Sequence, residues 1–375
     1  MNKTEKELNQ NSRIFGLDLM RATAILMVVA GHCLWIYPQD DSLFHQLLQL
    51  FGFFGVEIFF VLSGFLIGKI LYQLYLKEDF SLATVFYFLK RRWYRTLPNY
   101  YLVLLINIII AGFIGYEMPQ LWRYFFFLQN FKVSMLPFFT ESWSLAVEEF
   151  AYVVLPFFIF MVGLVINPKN KSRFFLCSVL LLIVIFICNK FYYQNTTNNR
   201  TLDQWNISLK SVVLYRLDSI FIGVLCSWIY LNFSSFWIKT KYVFFIIGII
   251  LLVFLFFSLG YFGLLIAVQP LFWNVLYLPL LSIAVACFLP FLSDWKSEVL
   301  FIVKPITFIS IISYSIYLLH YCVILQLMKY FFPIELDNRI GLYLFTFVYI
   351  VITFILSYLL YRFYEKPMMD LRDKN

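Results

Sequence analysis

Apolar runs of about twenty residues recur from one end of the chain to the other, with polar residues gathered in short segments between them. A run of that length crosses the hydrocarbon core of a bilayer as a helix. The runs are continuous rather than alternating, so helices are expected and a closed barrel is not. The pattern predicts about ten spans, near residues 16–37, 51–75, 97–115, 146–166, 174–193, 211–232, 241–260, 272–292, 306–331 and 340–363. The seventh and eighth are divided only by Gly260, Gly263 and Pro270. The expected fold class is an all-α, polytopic transmembrane helical bundle. It comprises a cytoplasmic N-terminal segment 1–15, a transmembrane domain 16–366 and a cytoplasmic C-terminal tail 367–375.

Composition supports this picture. The 375 residues are 62% hydrophobic and 13% charged, against roughly 25% charged in soluble domains. The net charge of +8 does not point to nucleic acid, because the positive residues lie between spans, where membrane lipids attract them. With the N-terminus inside, 19 of the 29 lysines and arginines fall in inner segments and 7 in outer ones, the latter including the loop 190–210. The positive-inside rule then places both termini in the cytoplasm. The six cysteines all lie in or beside apolar runs and lack the spacing of a zinc site or disulfide framework, so they read as small core hydrophobes and no metal is expected. The N-terminal residues Lys3, Glu5, Lys6 and Glu7 are mixed in charge. No small-residue cleavage site follows, so the first apolar run reads as a span rather than a removed signal.

Ionisable residues inside spans are costly and so become functional candidates. Asp18, Arg21 and His32 share the first span. Eleven positions separate Arg21 from His32, which puts them about 20° apart on one helix face and about 16 Å apart along it. The remaining charges suggest two layers. Arg91, Arg92 and Arg95 precede the third span on the inner side. Glu57, Glu148, Glu149, Arg216, Asp218 and His320 are expected towards the outside. Guanidinium groups bind phosphates bidentately, so the arginine group suits a phosphate-bearing donor such as acyl-CoA. A buried imidazole can take a proton from an attacking hydroxyl, with a carboxylate to orient it. Bland readings stand beside these: the arginines obey the positive-inside rule, Arg21 pairs with Asp18 while snorkelling, Arg216 and Asp218 pair structurally, and His45 is a solvated loop residue. The Asn195, Asn199 and Asn206 sequons matter only in a eukaryotic secretory setting.

These charges fall within recognisable blocks. GLDLMRATAILMVVAGH (16–32), FGVEIFFVLSGFLIG (54–68), RRWYRTLPNYY (91–101), ESWSLAVEEFAYVVLP (141–156), YRLDSIFIGVL (215–225), ISYSIYLLH (312–320) and YRFYEKP (361–367) resemble, in order, the signature blocks of the acyltransferase-3 family of membrane O-acyltransferases. The resemblance implies transfer of an acetyl or other short acyl group from cytoplasmic acyl-CoA to a carbohydrate hydroxyl outside a bacterial inner membrane. It also implies an essential Arg21–His32 pair, supported by Glu149 (less so Glu148), Arg92 and Arg95. Trp143, Glu57, Arg216, Asp218 and His320 are expected to face the carbohydrate acceptor. Cys322 stands where the family often has proline. Many relatives append an esterase-like domain; none is expected here, which leaves room for an extracytoplasmic partner protein. His32 acts either as general base or as a transient acyl carrier. The competing classes are a transporter or flippase, for which intramembrane charges also serve, and an acyl-relay subunit.

Overall fold

A computed structural model describes residues 13–38, 43–77, 80–258, 262–334 and 338–372; the readings at Lys3, Glu5, Lys6, Glu7 and Gly260, and the extreme ends of both tails, lie outside the described residues. Regular structure among the described residues is entirely helical. The principal helices are α1 (Phe15–His32), α2 (Leu43–Leu76), α3 (Leu82–Ile114), α4 (Ser142–Ile166), α5 (Lys171–Thr196), α6 (Leu217–Asn232), α7 (Lys241–Phe257), α8 (Tyr277–Ala286), α9 (Leu300–Leu319) and α10 (Arg339–Leu360). Eight helical segments are long and apolar enough to cross a membrane, while α6 and α7 are apolar but shorter. Wide-turn π segments adjoin three of these helices, at Phe272–Leu276, His320–Leu325 and Tyr361–Glu365.

Three boundaries differ from expectation in ways that move functional groups. The third helix begins at Leu82 rather than near 97, where the Thr84 hydroxyl reaches back to the Ser81 N–H at 3.4 Å. It then continues through Pro98, which membrane helices tolerate when neighbours re-satisfy the freed backbone groups. The basic segment is therefore part of the helix instead of a loop before it. α4 starts at Ser142, so Glu148 and Glu149 sit well inside it rather than at its mouth. α5 extends to Thr196 and takes in Lys190, which is fully buried.

α2 runs through the middle of the bundle between α1 and α6. Its approach to α6 depends on absent side chains. A Cβ on Gly64 would lie 1.9 Å from the Ile220 carbonyl oxygen, and one on Gly223 would lie 2.1 Å from that of Val61. Where α1 meets α2, a Cβ on Gly31 would fall 2.3 Å from Gly52 Cα. Small residues permit this closeness, and in a membrane close packing replaces the hydrophobic effect as the force between helices. Residues such as Ile109, Val165 and Phe347 point outward, as a lipid-facing surface requires. Cys177 and Cys188 are exposed as well, so these two are not core residues. His45 is also misjudged by the pattern: it lies in the first turn of α2 and is buried.

Gly223→Val should cost about 1–3 kcal/mol or more through overpacking and lower the unfolding midpoint of the detergent-solubilised protein. Gly112→Ala, with nothing within 4 Å of the added methyl, should leave that midpoint the same or slightly higher.

Candidate active site

The polar interior begins at the start of α1. Asp18 holds Arg13 at 2.6 Å and Arg21 at 3.7 Å, and it accepts a 2.7 Å hydrogen bond from the Ser310 hydroxyl of α9. One carboxylate thus anchors two guanidinium groups. Arg21 then lies between two adjoining cavities. The first is lined by Arg13, Arg21, Lys69, Arg95, Tyr230 and Tyr361, with Asp18 and Glu365. The second is lined by Arg21, Arg92, Arg95, Glu148, Ser63, Tyr314 and Tyr317, with apolar walls from Val56, Phe59, Phe60, Leu62, Leu66 and Leu145. Arg21, Arg95 and Leu66 face both.

The arginine segment divides by helical position. Arg92 and Arg95 face the cavities, whereas Arg91 points outward and donates to the Tyr87 hydroxyl at 3.0 Å. Arg91 therefore does not join the other two. Arg92 lies 4.4 Å over the Tyr152 ring and donates to its hydroxyl at 2.6 Å; the same hydroxyl donates to Glu148 at 2.9 Å and lies 2.6 Å from the Ser63 hydroxyl. Glu149 is buried behind this surface, where it accepts from Thr96 at 2.8 Å and from the Trp93 indole at 3.2 Å. The two glutamates consequently share a layer with the arginines, not with the distant charges. Their expected place near the outer mouth of α4 is corrected by the longer helices on both sides. Glu148, the less favoured of the pair, is the one that lines the cavity.

Beyond this chamber stands a pair of imidazoles. His320 Nε2 lies 3.1 Å from His32 Nδ1. His320 Nδ1 lies 2.8 and 3.1 Å from the carbonyl oxygens of Tyr317 and Ile316, and His32 Nδ1 lies 2.9 Å from that of Val28. Carbonyls only accept, so each neutral ring carries its proton on Nδ1. His32 Nδ1–H is then shared between Val28 and His320, and His32 Nε2 keeps its lone pair. His320 is fully buried and faces His32. The π segment that opens at His320 also presents the Cys322 N–H and thiol to Glu141, at 3.1 and 2.6 Å. Cys322 is thus a hydrogen-bonding residue rather than an inert core hydrophobe. Burial raises the Glu141 carboxyl, just ahead of α4, to about 7. The chamber and the imidazoles share a wall: Tyr317 lines the first and takes the hydrogen bond from His320.

The other predicted charges form a separate buried group. Arg216 pairs with Glu57, which also accepts from Ser282, and Lys190 pairs with Asp218 at 2.5 Å. The anticipated Arg216–Asp218 pair is therefore replaced by two pairs reaching to different helices. Trp143 packs edge-on against Phe60 beside this group. Sequence reasoning missed Tyr152, Glu141, Lys190, Ser282 and Lys210. Tyr152 and Glu141 stand within the fourth block, but nothing in a linear pattern indicates which helix they meet.

The family model described as an acyltransferase domain matches residues 14–362. The chain belongs to the acyltransferase-3 family. A Staphylococcus aureus (strain COL) protein, named as a proposed O-acetyltransferase, is 28% identical to this family member over 98% of the chain and 59% of its own length. The peptidoglycan O-acetyltransferase OatA of Listeria monocytogenes is 31% identical over 41% of the chain and 25% of its own length. This acyltransferase-3 chain thus spans little more than half the length of the staphylococcal relative. No solved structure matches it.

Asp218→Asn should destabilise the protein by about 3–5 kcal/mol, because it strands a buried Lys190 charge. Removing both partners together, as Lys190→Met with Asp218→Leu, should recover most of that loss. Denaturation in detergent measures both.

Proposed function

We propose that the chain is a membrane O-acetyltransferase of a bacterial inner membrane, moving an acetyl group from cytoplasmic acyl-CoA to a hydroxyl of a cell-envelope carbohydrate. The observation that carries this reading is the cationic double cavity: Arg13, Lys69, Arg21 and Arg95 surround its first part, and its second approaches the His32–His320 pair. Phosphates of the donor fit the guanidinium-rich part, with bidentate contacts from Arg95 and Arg21. The apolar walls then suit the arm that carries the thioester. His32 Nε2 takes the proton of the acceptor hydroxyl as its oxygen attacks the thioester carbonyl. The carbon–sulfur bond breaks, and CoA leaves after regaining a proton. Donation from His32 Nδ1 to His320 holds the ring in the orientation required and offsets its charge when it is protonated. Tyr152 keeps Arg92 aimed into the chamber.

The names of the bacillary relatives, among them a proposed peptidoglycan O-acetyltransferase of Bacillus subtilis, agree with a glycan acceptor. An extracytoplasmic partner protein is compatible with this scheme.

Purified protein in nanodiscs should release CoA from acetyl-CoA when envelope glycan is supplied. His32→Ala should abolish the release, with a loss of at least about a hundredfold for a missing general base. Arg21→Ala should raise KM for acetyl-CoA. Wild-type activity no greater than that of His32→Ala would sink the reading, and glycan uptake into vesicles without acyl-CoA would favour transport instead.

A further inference from the structure

In a second group of charges the cations outnumber the carboxylates: Lys190 and Arg216 are fully buried and Lys210 is partly buried. Among the described residues, the carboxylates set against Lys190, Lys210 and Arg216 are Glu57 and Asp218, and both already have cationic partners. Lys210 makes no hydrogen bond or ion pair among the described residues; its ammonium is suspended 5.5 Å from the Phe53 ring and 5.7 Å from the Trp143 ring. Arg216, fully buried, has two further nitrogens, Nε and Nη1, without a hydrogen-bond partner among the described residues. Its guanidinium lies over Phe60, against which Trp143 packs. Buried guanidinium donors left without an acceptor are costly, and Lys210, only partly buried, lies over the ring that packs on Phe60.

A shared ring places this cluster beside the chamber. Phe60, over which the Arg216 guanidinium lies and against which Trp143 packs, also lines the chamber walled by Tyr317. Burial and the neighbouring Arg216 lower the Lys210 ammonium to about 8, which leaves it charged at neutral pH. Aromatic faces next to a cation make a surface suited to a sugar ring that carries an anionic group.

We propose that Lys210, between Phe53 and Trp143 and backed by Arg216, binds an oxyanion of the acceptor, so that the enzyme acts on an acidic rather than a neutral carbohydrate. This rests on the transferase reading above and adds the charge class of its acceptor. A carboxylate or a phosphate would serve equally, because both offer oxygens to the ammonium.

The test gives purified protein in nanodiscs acetyl-CoA and envelope glycan from the source strain in three forms: native, carboxyl-reduced with carbodiimide and borohydride, and dephosphorylated with hydrofluoric acid. One neutralising treatment should lower kcat/KM by at least about tenfold, as expected when a charge-assisted contact is lost, and which treatment does so identifies the anion. Lys210→Gln should show a comparable loss on native glycan through KM, and Lys210→Arg should retain the preference. The wild-type arms stand by themselves should Lys210→Gln fold poorly. Equal activity on all three glycans, or undiminished preference for native glycan in Lys210→Gln, overturns the proposal. If CoA release depends on His32 but ignores glycan charge, only the anion site fails. If wild type releases no CoA with any glycan, the transferase reading fails and takes this inference with it.

Discussion

The close approach of α2 to α1 and α6 is the contact on which the rest of the interior depends. At Gly64 and Gly223 the backbones touch, and at Gly31 and Gly52 they nearly do so. That closeness brings Glu57 of α2 within reach of Arg216 at the foot of α6, and it sets His32 beside the start of α2. Separating these helices by the width of one side chain would leave several charges without partners at once. Packing and electrostatics are therefore a single constraint in this bundle.

Charge pairing explains why the polar interior is divided into compartments. Near the start of α1, Asp18 is shared by two arginines, which leaves cationic surface available to a ligand. Around Tyr152, a hydroxyl joins an arginine to a glutamate and a serine, so Arg92 is directed with no direct ion pair among the described residues. Deeper in the bundle, Lys190 and Asp218 cancel almost completely. The first two arrangements keep charge available, whereas the third withdraws it. This difference separates charge left open to the cavities from charge neutralised within the fold.

Much of this was legible in the chain. Continuous apolar runs specified helices, and each of the expected spans coincides with one. Charges stranded in or beside those runs singled out Arg21, His32, Arg92, Arg95, Glu148 and Glu149 as candidates. What misled was their depth. Hydropathy ends a span where charge begins, so it cut α3 at Leu97 and delayed α4 to Ala146; the real helices continue because their charges face a polar interior rather than lipid. Moving those two ends merged the arginines and glutamates into one layer. Partner choice was equally hidden, since Arg216 to Glu57 and His32 to His320 join positions 159 and 288 residues apart. Lys210 looked like an ordinary loop cation because nothing local reveals the two rings that hold it.

The contact between Glu141 and Cys322 has its own consequence. One of its two hydrogen bonds comes from the peptide nitrogen, which every residue except proline possesses. At this position the protein therefore reads the main chain as much as the thiol, and nineteen of the twenty amino acids could supply that half of the latch. A lineage carrying proline there must secure the same helix by other means, so residues 141 and 322 are expected to drift together, as one inherited unit.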